Sequence, residues 1–183
     1  MTATANNQSR TYGASDPALT TAYSGFVNSE TTAVINTLPT ASTTALVTSP
    51  VGSYSITVAG GVDNNYSFIY VSRTLTINKA PLTADADDQT KVYGQANPAL
   101  TITYTGFVNG VNAGDITPPT ASTTAITGSN VGGYPITLTG GSATNYTLTL
   151  QPGTLTITKA PLTAKADDQT KVYTLSLCFR HTC

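Results

Sequence analysis

The sequence predicts a mainly β fold: two tandem small β-rich domains followed by the truncated start of a third repeat. Three observations predict it. Near-identical blocks recur about 80 residues apart, apolar residues alternate with threonine in short runs, and turn-forming residues punctuate those runs. Alternation with a period of two builds a strand that buries one face, and threonine packs well on the other.

The repeat is read directly. APLTADADDQTKVY at 80–93 returns as APLTAKADDQTKVY at 160–173, differing only at Asp85 versus Lys165. TYGASDPALTTAYSGFVN at 11–28 matches VYGQANPALTITYTGFVN at 92–109, and PTASTTA stands at both 39–45 and 119–125. VGSYSITVAGG at 51–61 matches VGGYPITLTGG at 131–141, and TLTINKAPLTA at 74–84 matches TLTITKAPLTA at 154–164. Unit one is therefore 1–79 and unit two 80–159, with the start of a third at 160–173. Residues 2–12 align with 83–93, so unit one reads as N-terminally clipped. The tail 174–183 matches nothing earlier and holds Cys178, Cys183 and the only histidine, His181. It reads as a truncated, frame-shifted or fused end and is set apart from the functional argument. An 80-residue period is long for a solenoid turn and suits a small domain with its own core.

Within unit one, Leu19, Thr21 and Tyr23 begin the alternation; Tyr54, Ile56 and Val58 continue it, then Leu75 and Ile77. Unit two repeats it at Leu100, Ile102 and Tyr104, at Leu148 and Leu150, and at Leu155 and Ile157. A single helical turn is the most that Ser29–Asn36 supports. Gly60-Gly61 and Gly140-Gly141 read as turns needing positive φ. The Asn-Tyr pairs at 65–66 and 145–146 read as strand openings, with Tyr66 and Tyr146 packing inward. One strand should end near Lys79 or Lys159 and the next begin at Leu82 or Leu162, past a junction stiffened by Pro81 or Pro161. Six or seven strands per unit fit an immunoglobulin-like sandwich or a β-grasp-like sheet with one short helix. A real helix at Ser29–Asn36, packed on the sheet, would select the second.

Composition removes several functions. The chain has 183 residues, 37 of them threonine, with 8 basic and 9 acidic side chains for a net charge of -1. No basic patch is available to neutralise nucleic-acid phosphates. No apolar run approaches the roughly 20 residues that span a bilayer, and no signal peptide opens the chain. Charged residues are only 9% of the chain while β-branched ones abound, which disfavours disorder.

The ordered elements KVYGQANPALT, YTGFVN, STTA, VGGYPIT, GG, NY and TLTITKA resemble the MBG-type repeat. That family recurs in tandem in large bacterial surface and secreted proteins of the adhesin or filamentous-haemagglutinin-like type. The resemblance covers residues 2–173. Unit two carries every element; unit one departs at Thr11, at Asp16 and at Arg73, where the family favours glycine as at Gly153. It implies a mostly β domain, a role as stalk or adhesive module, and no active site.

Candidate sites are few. Asp85, Asp87 and Asp88, with Asp167 and Asp168, form an acidic cluster expected beside the junction, where calcium would find oxygen ligands. Unit one has Asn6-Asn7 in the same place and no D-x-D-x-D-G loop exists, so a solvated turn is the favoured reading and no metal is expected. Lys79 and Lys159, with Asn65 and Asn145, are the residue types of Lys–Asn isopeptide cross-links, but no carboxylate recurs beside them. Cys178, Cys183 and His181 are too irregularly spaced for a zinc site. Catalysis finds no support: the single histidine lies in the tail, and Glu30 has no carboxylate partner that recurs in unit two. No cofactor is expected.

The expected function is a non-catalytic structural or adhesive repeat module, a stalk segment of a large bacterial cell-surface or secreted adhesin. Its partners are neighbouring repeats in the same chain, with host glycan or host protein as candidate ligands. The alternative is that the repeats themselves bind carbohydrate or host protein. Ice binding through T-x-T ladders such as Thr154, Thr156 and Thr158 is a lesser one, because an 80-residue period offers only short ladders.

Overall fold

A computed structural model of the chain describes residues 1–174. Cys178, His181 and Cys183 lie outside the described residues. Unit one has seven strands: β1 (Thr2–Ala5), β2 (Gln8–Thr11), β3 (Thr21–Ser24), β4 (Thr40–Thr43), β5 (Gly52–Ala59), β6 (Ile69–Val71) and β7 (Arg73–Asn78). Unit two repeats them as β8 (Ala80–Ala86), β9 (Gln89–Val92), β10 (Ile102–Thr105), β11 (Thr120–Thr123), β12 (Gly132–Thr139), β13 (Tyr146–Gln151) and β14 (Gly153–Thr158). Each unit folds these into a three-stranded sheet and a four-stranded sheet. The orders are β3-β1-β6 with β2-β7-β5-β4, and β10-β8-β13 with β11-β12-β14-β9.

The first two strands of each unit, joined by a two-residue corner, go to different sheets. β1 pairs antiparallel with β3 and parallel with β6, whereas β2, two residues later, pairs parallel with β7. β8 and β9 do the same with β10, β13 and β14. The chain thus switches sheets at Asn6-Asn7 and at Asp87-Asp88, and the side chains there hold the corner. Asn7 Oδ1 accepts from the Thr74 amide at 3.0 Å and Asp88 Oδ1 from the Thr154 amide at 2.6 Å. Asn6 Nδ2 donates to Thr20 Oγ1, and Asp87 Oδ1 accepts from Thr103 Oγ1.

The alternation seen in the sequence is the core. Ile56, Leu75 and Ile77 in unit one, and Ile136, Leu155 and Ile157 in unit two, are at most 1% exposed. Opposite these large residues the three-stranded sheets present small ones, Ala3 and Ala5 or Ala84 and Ala86. Large against small lets two sheets close without voids, and each fully buried aliphatic side chain contributes about 1.5–3 kcal/mol. One cluster of buried residues runs from Ala3, Ile56 and Leu75 through Ala80 and Leu82 to Tyr146, so it crosses the junction between units.

One local expectation holds and two change. Ser29–Asn36 forms only a 3-10 turn, Thr32–Val34, with no buried residue; unit two has the equivalent turn at Ala113–Asp115. A segment this short and rich in β-branched residues cannot meet the cost of helix nucleation. Each unit is therefore a two-sheet sandwich, and no helix packs on a sheet among the described residues. The glycine pairs do not all need positive φ: Gly140 and Gly141 have it, but Gly61 does not. Gly61 is required by crowding, since a Cβ there would stand 2.6 Å from Pro39 Cγ. Tyr146 opens β13 and is 3% exposed, but β6 begins only at Ile69 and Tyr66 is half-buried. Tyr146 pairs with Ala80 in β8, whereas the ladder between β1 and β6 runs from Thr2 opposite Ile69 to Thr4 opposite Val71.

Candidate functional site: the joint between the units

Only Lys79 separates the last strand of unit one from the first strand of unit two. So short a connection forces the end of one sandwich against the loops of the next. Tyr12 and Gly13 lie just past β2, and the Tyr12 amide donates to Asn78 O at 2.8 Å, which pins them beside the exit of β7. Gly13 has φ of 82°. A Cβ there would lie 2.8 Å from Val108 Cβ, so glycine is needed both for its conformation and for the approach of unit two.

Unit two meets this end with two loops. Tyr146 sets its ring edge-to-face against Tyr12, with centroids 5.5 Å apart at 81°, and against Phe107 at 5.7 Å and 86°. Its hydroxyl donates to Val108 O and accepts from the Val108 amide, both at 3.2 Å, which ties the two loops together. Asn145 Oδ1 accepts from the Val51 amide of unit one at 3.0 Å. Asn109 Nδ2 donates to Val47 O, and Lys79 Nζ donates to Ala143 O, each at 3.2 Å. Apolar stacking at the centre with polar bonds around it is how a specific interface is built.

The residues singled out in the sequence are distributed as follows. Lys79 and Asn145 come to the joint, each satisfied by a backbone group of the other unit. Asp85, Asp87 and Asp88 do not. They lie five to eight residues along the chain from Ala80, at the far end of β8, roughly 15–25 Å of strand. Asp87 is held below the usual carboxylate range by hydrogen bonds from the Thr101 and Thr103 hydroxyls. Because Asn6 and Asn7 hold the same corner in unit one, Asp87 and Asp88 act as corner pieces between the sheets. No group of three His, Cys, Asp or Glu gathers among the described residues.

Sequence reasoning missed a pair of buried cations. Arg10 and Lys91 occupy the same repeat position and are 7% and 4% exposed. Lys91 Nζ donates to Gln95 O at 3.0 Å and Ile126 O at 2.8 Å. Arg10 donates to Leu46 O and forms an ion pair with Asp16, which stands where unit two has Asn97. Asn97 turns instead to Ala125 O. Asp16, one of the departures of unit one, is the partner that a guanidinium in place of an ammonium requires. The signal was available: two positions six residues apart change together between the units.

Two copies of one two-sheet module, joined end to end through Tyr-Gly and Asn-Tyr contacts, define a tandem β-repeat protein. A family model described as MBG domain (YGX type) matches residues 1–76 and again 82–156, and the chain belongs to that family. Each unit carries one Tyr-Gly pair, Tyr12-Gly13 in unit one, at the joint, and Tyr93-Gly94 in unit two. Compared with curated proteins, the chain matches none.

Proposed function

We propose that the chain is a non-catalytic spacer, a stalk segment of a large bacterial cell-surface or secreted adhesin. The family match is consistent with a structural repeat module. The observation that carries the spacer reading is the joint. A single connecting residue, a shared hydrophobic cluster and the Asn145–Val51 bond fix neighbouring units in one arrangement. A stalk needs that resistance to bending, and a freely hinged string would not provide it. Small-angle scattering of the chain is expected to give an elongated particle whose maximum dimension is unchanged by moderate salt. A compact globule would overturn the spacer.

A second reading, binding of carbohydrate by the repeats, has one observation in its favour. Phe68 and Tyr70 stack with rings 3° from parallel, and Tyr70 is 41% exposed beside exposed Val62 and Ile69. Flat aromatic faces suit the apolar faces of sugars. A glycan array probed with the chain and with Tyr70→Ala decides it: signal lost in the variant supports binding, and a flat array for both removes it.

A further inference from the structure

We propose that the free end of unit two is a docking socket for another repeat of the unit-two kind, built from the same positions by which unit one holds unit two. This rests on the spacer reading and deepens it by naming the surface and its occupant. Tyr93, Asn130, Val131, Lys159 and Ala160 line a recess of about 510 Å³. Their counterparts one repeat earlier are Tyr12, Pro50, Val51, Lys79 and Ala80, the floor of the joint.

The two ends differ in what covers them. Tyr12 is 6% exposed beneath Tyr146, whereas Tyr93 is 47% exposed and Val131 48%. Gly13 is touched by Val108, while a Cβ on Gly94, of the same positive φ, would meet nothing within 4 Å. Leu82 is 1% exposed inside β8; Leu162, in the same APLTA sequence, is 95% exposed and in no strand. Tyr93 and Val131 form an apolar pair whose twins, Tyr12 and Val51, meet the neighbouring repeat, while Leu162 stands where the next unit would build its own first strand.

The occupant is specified by the side chains the socket must accept. A repeat of the unit-two kind presents a valine as at Val108, an Asn-Tyr pair as at Asn145 and Tyr146, and small or apolar residues as at Ala143 and Val111. The matching face of unit one is different. Glu30 stands in the place of Val111 and Asp63 in that of Ala143. Glu30 accepts from the Tyr66 hydroxyl, and Asp63 caps the Asn65 and Tyr66 amides. Seating that face on Tyr93 and Val131 would desolvate carboxylates against apolar surface, and a rim contact between Asp63 and Lys159 returns little. A second copy of this chain, offering unit one, is therefore the poorer occupant.

The test follows one amide. Val51 N–H is bonded to Asn145 Oδ1, and Val131 N–H is its counterpart at the socket. In the full chain, hydrogen exchange should be slow at Val51 and fast at Val131. In a chain where a second copy of residues 80–159 follows Lys159, exchange at Val131 should slow about tenfold or more. Replacing by alanine the appended asparagine that copies Asn145 should restore fast exchange.

Fast exchange at Val131 with a folded third unit would overturn the socket. So would a third unit that stays unfolded, since the identical sequence folds when seated on unit one. Protection of Val131 in the two-unit chain that grows with concentration would assign the face to a second copy and overturn the proposal. Scattering of the three-unit chain separates this from the spacer. An elongated particle without protection at Val131 loses the socket alone, and a compact particle loses the spacer.

Discussion

Replacing Tyr146 with alanine is expected to cost about 3–5 kcal/mol, the range for removing a buried aromatic side chain from a packed core. The residue is 3% exposed, lies in the cluster that crosses the junction, and holds the loop at Val108 through its hydroxyl. Its removal opens a cavity between Tyr12 and Phe107 and leaves the Val108 amide and carbonyl without partners. Tyr66 is the control, because it has the same place in unit one and its partners, Phe26, Val27 and Glu30, all belong to its own unit. It is half-buried, and its hydroxyl meets Glu30 and the Val27 amide near solvent. Tyr66→Ala should cost only about 1 kcal/mol, within the ordinary span of single substitutions. Urea unfolding of the full chain measures both, and Tyr146→Ala should also separate the transition of unit one from that of unit two. Equal costs for the two substitutions, with one shared transition in each, would show that the joint contributes nothing to stability.

The strands were legible because half-burial imposes a period of two, and Ile56, Leu75, Ile136 and Leu155 keep it without interruption. The repeat was legible because both units solve one packing problem with nearly one set of residues. The switch between sheets after the first strand was not, since it needs no proline or glycine. It needs two residues whose side chains can hold a corner, and Asn-Asn serves as well as Asp-Asp. Read as charge, Asp87 and Asp88 suggested calcium; read as hydrogen-bonding residues at a corner, they take the places of Asn6 and Asn7. The joint was half legible. Pro81 and the recurring Lys-Ala-Pro-Leu marked its position, but Tyr12 and Tyr146 meet across 134 positions of chain, a distance no local pattern records. Glycine carried two messages as well. Gly153 is fixed by the carbonyl of Ala86, which a Cβ would strike, whereas unit one admits the exposed Arg73 at that position.

The substitutions at Arg10 and Asp16 are expected to be coupled, because the two units satisfy one buried site in two ways. Unit one uses a guanidinium with a carboxylate, and unit two an ammonium with an amide. Asp16→Asn alone takes the carboxylate from a cation whose side chain is 3% exposed; Asp16 itself is 28% exposed. Removing one partner of a buried pair costs about 3–5 kcal/mol, and water reaching Asp16 brings the expectation to about 2 kcal/mol. Arg10→Lys alone keeps the charge but loses the planar fork that reaches both Asp16 and Leu46 O, at about 1–2 kcal/mol. The double variant reproduces the residues of unit two, so it should cost less than the sum by about 1 kcal/mol or more, as for residues in one network. A cycle of the four chains by urea unfolding measures this. Strict additivity would mean that Arg10 and Asp16 changed independently, and their joint difference from Lys91 and Asn97 would lose its physical reason. Coupling would instead show that one buried cation, in either form, ties the strand leading to Tyr-Gly to the loop at Leu46 or Ile126. The Tyr-Gly end would then be held in shape from within its own unit before any neighbour docks on it.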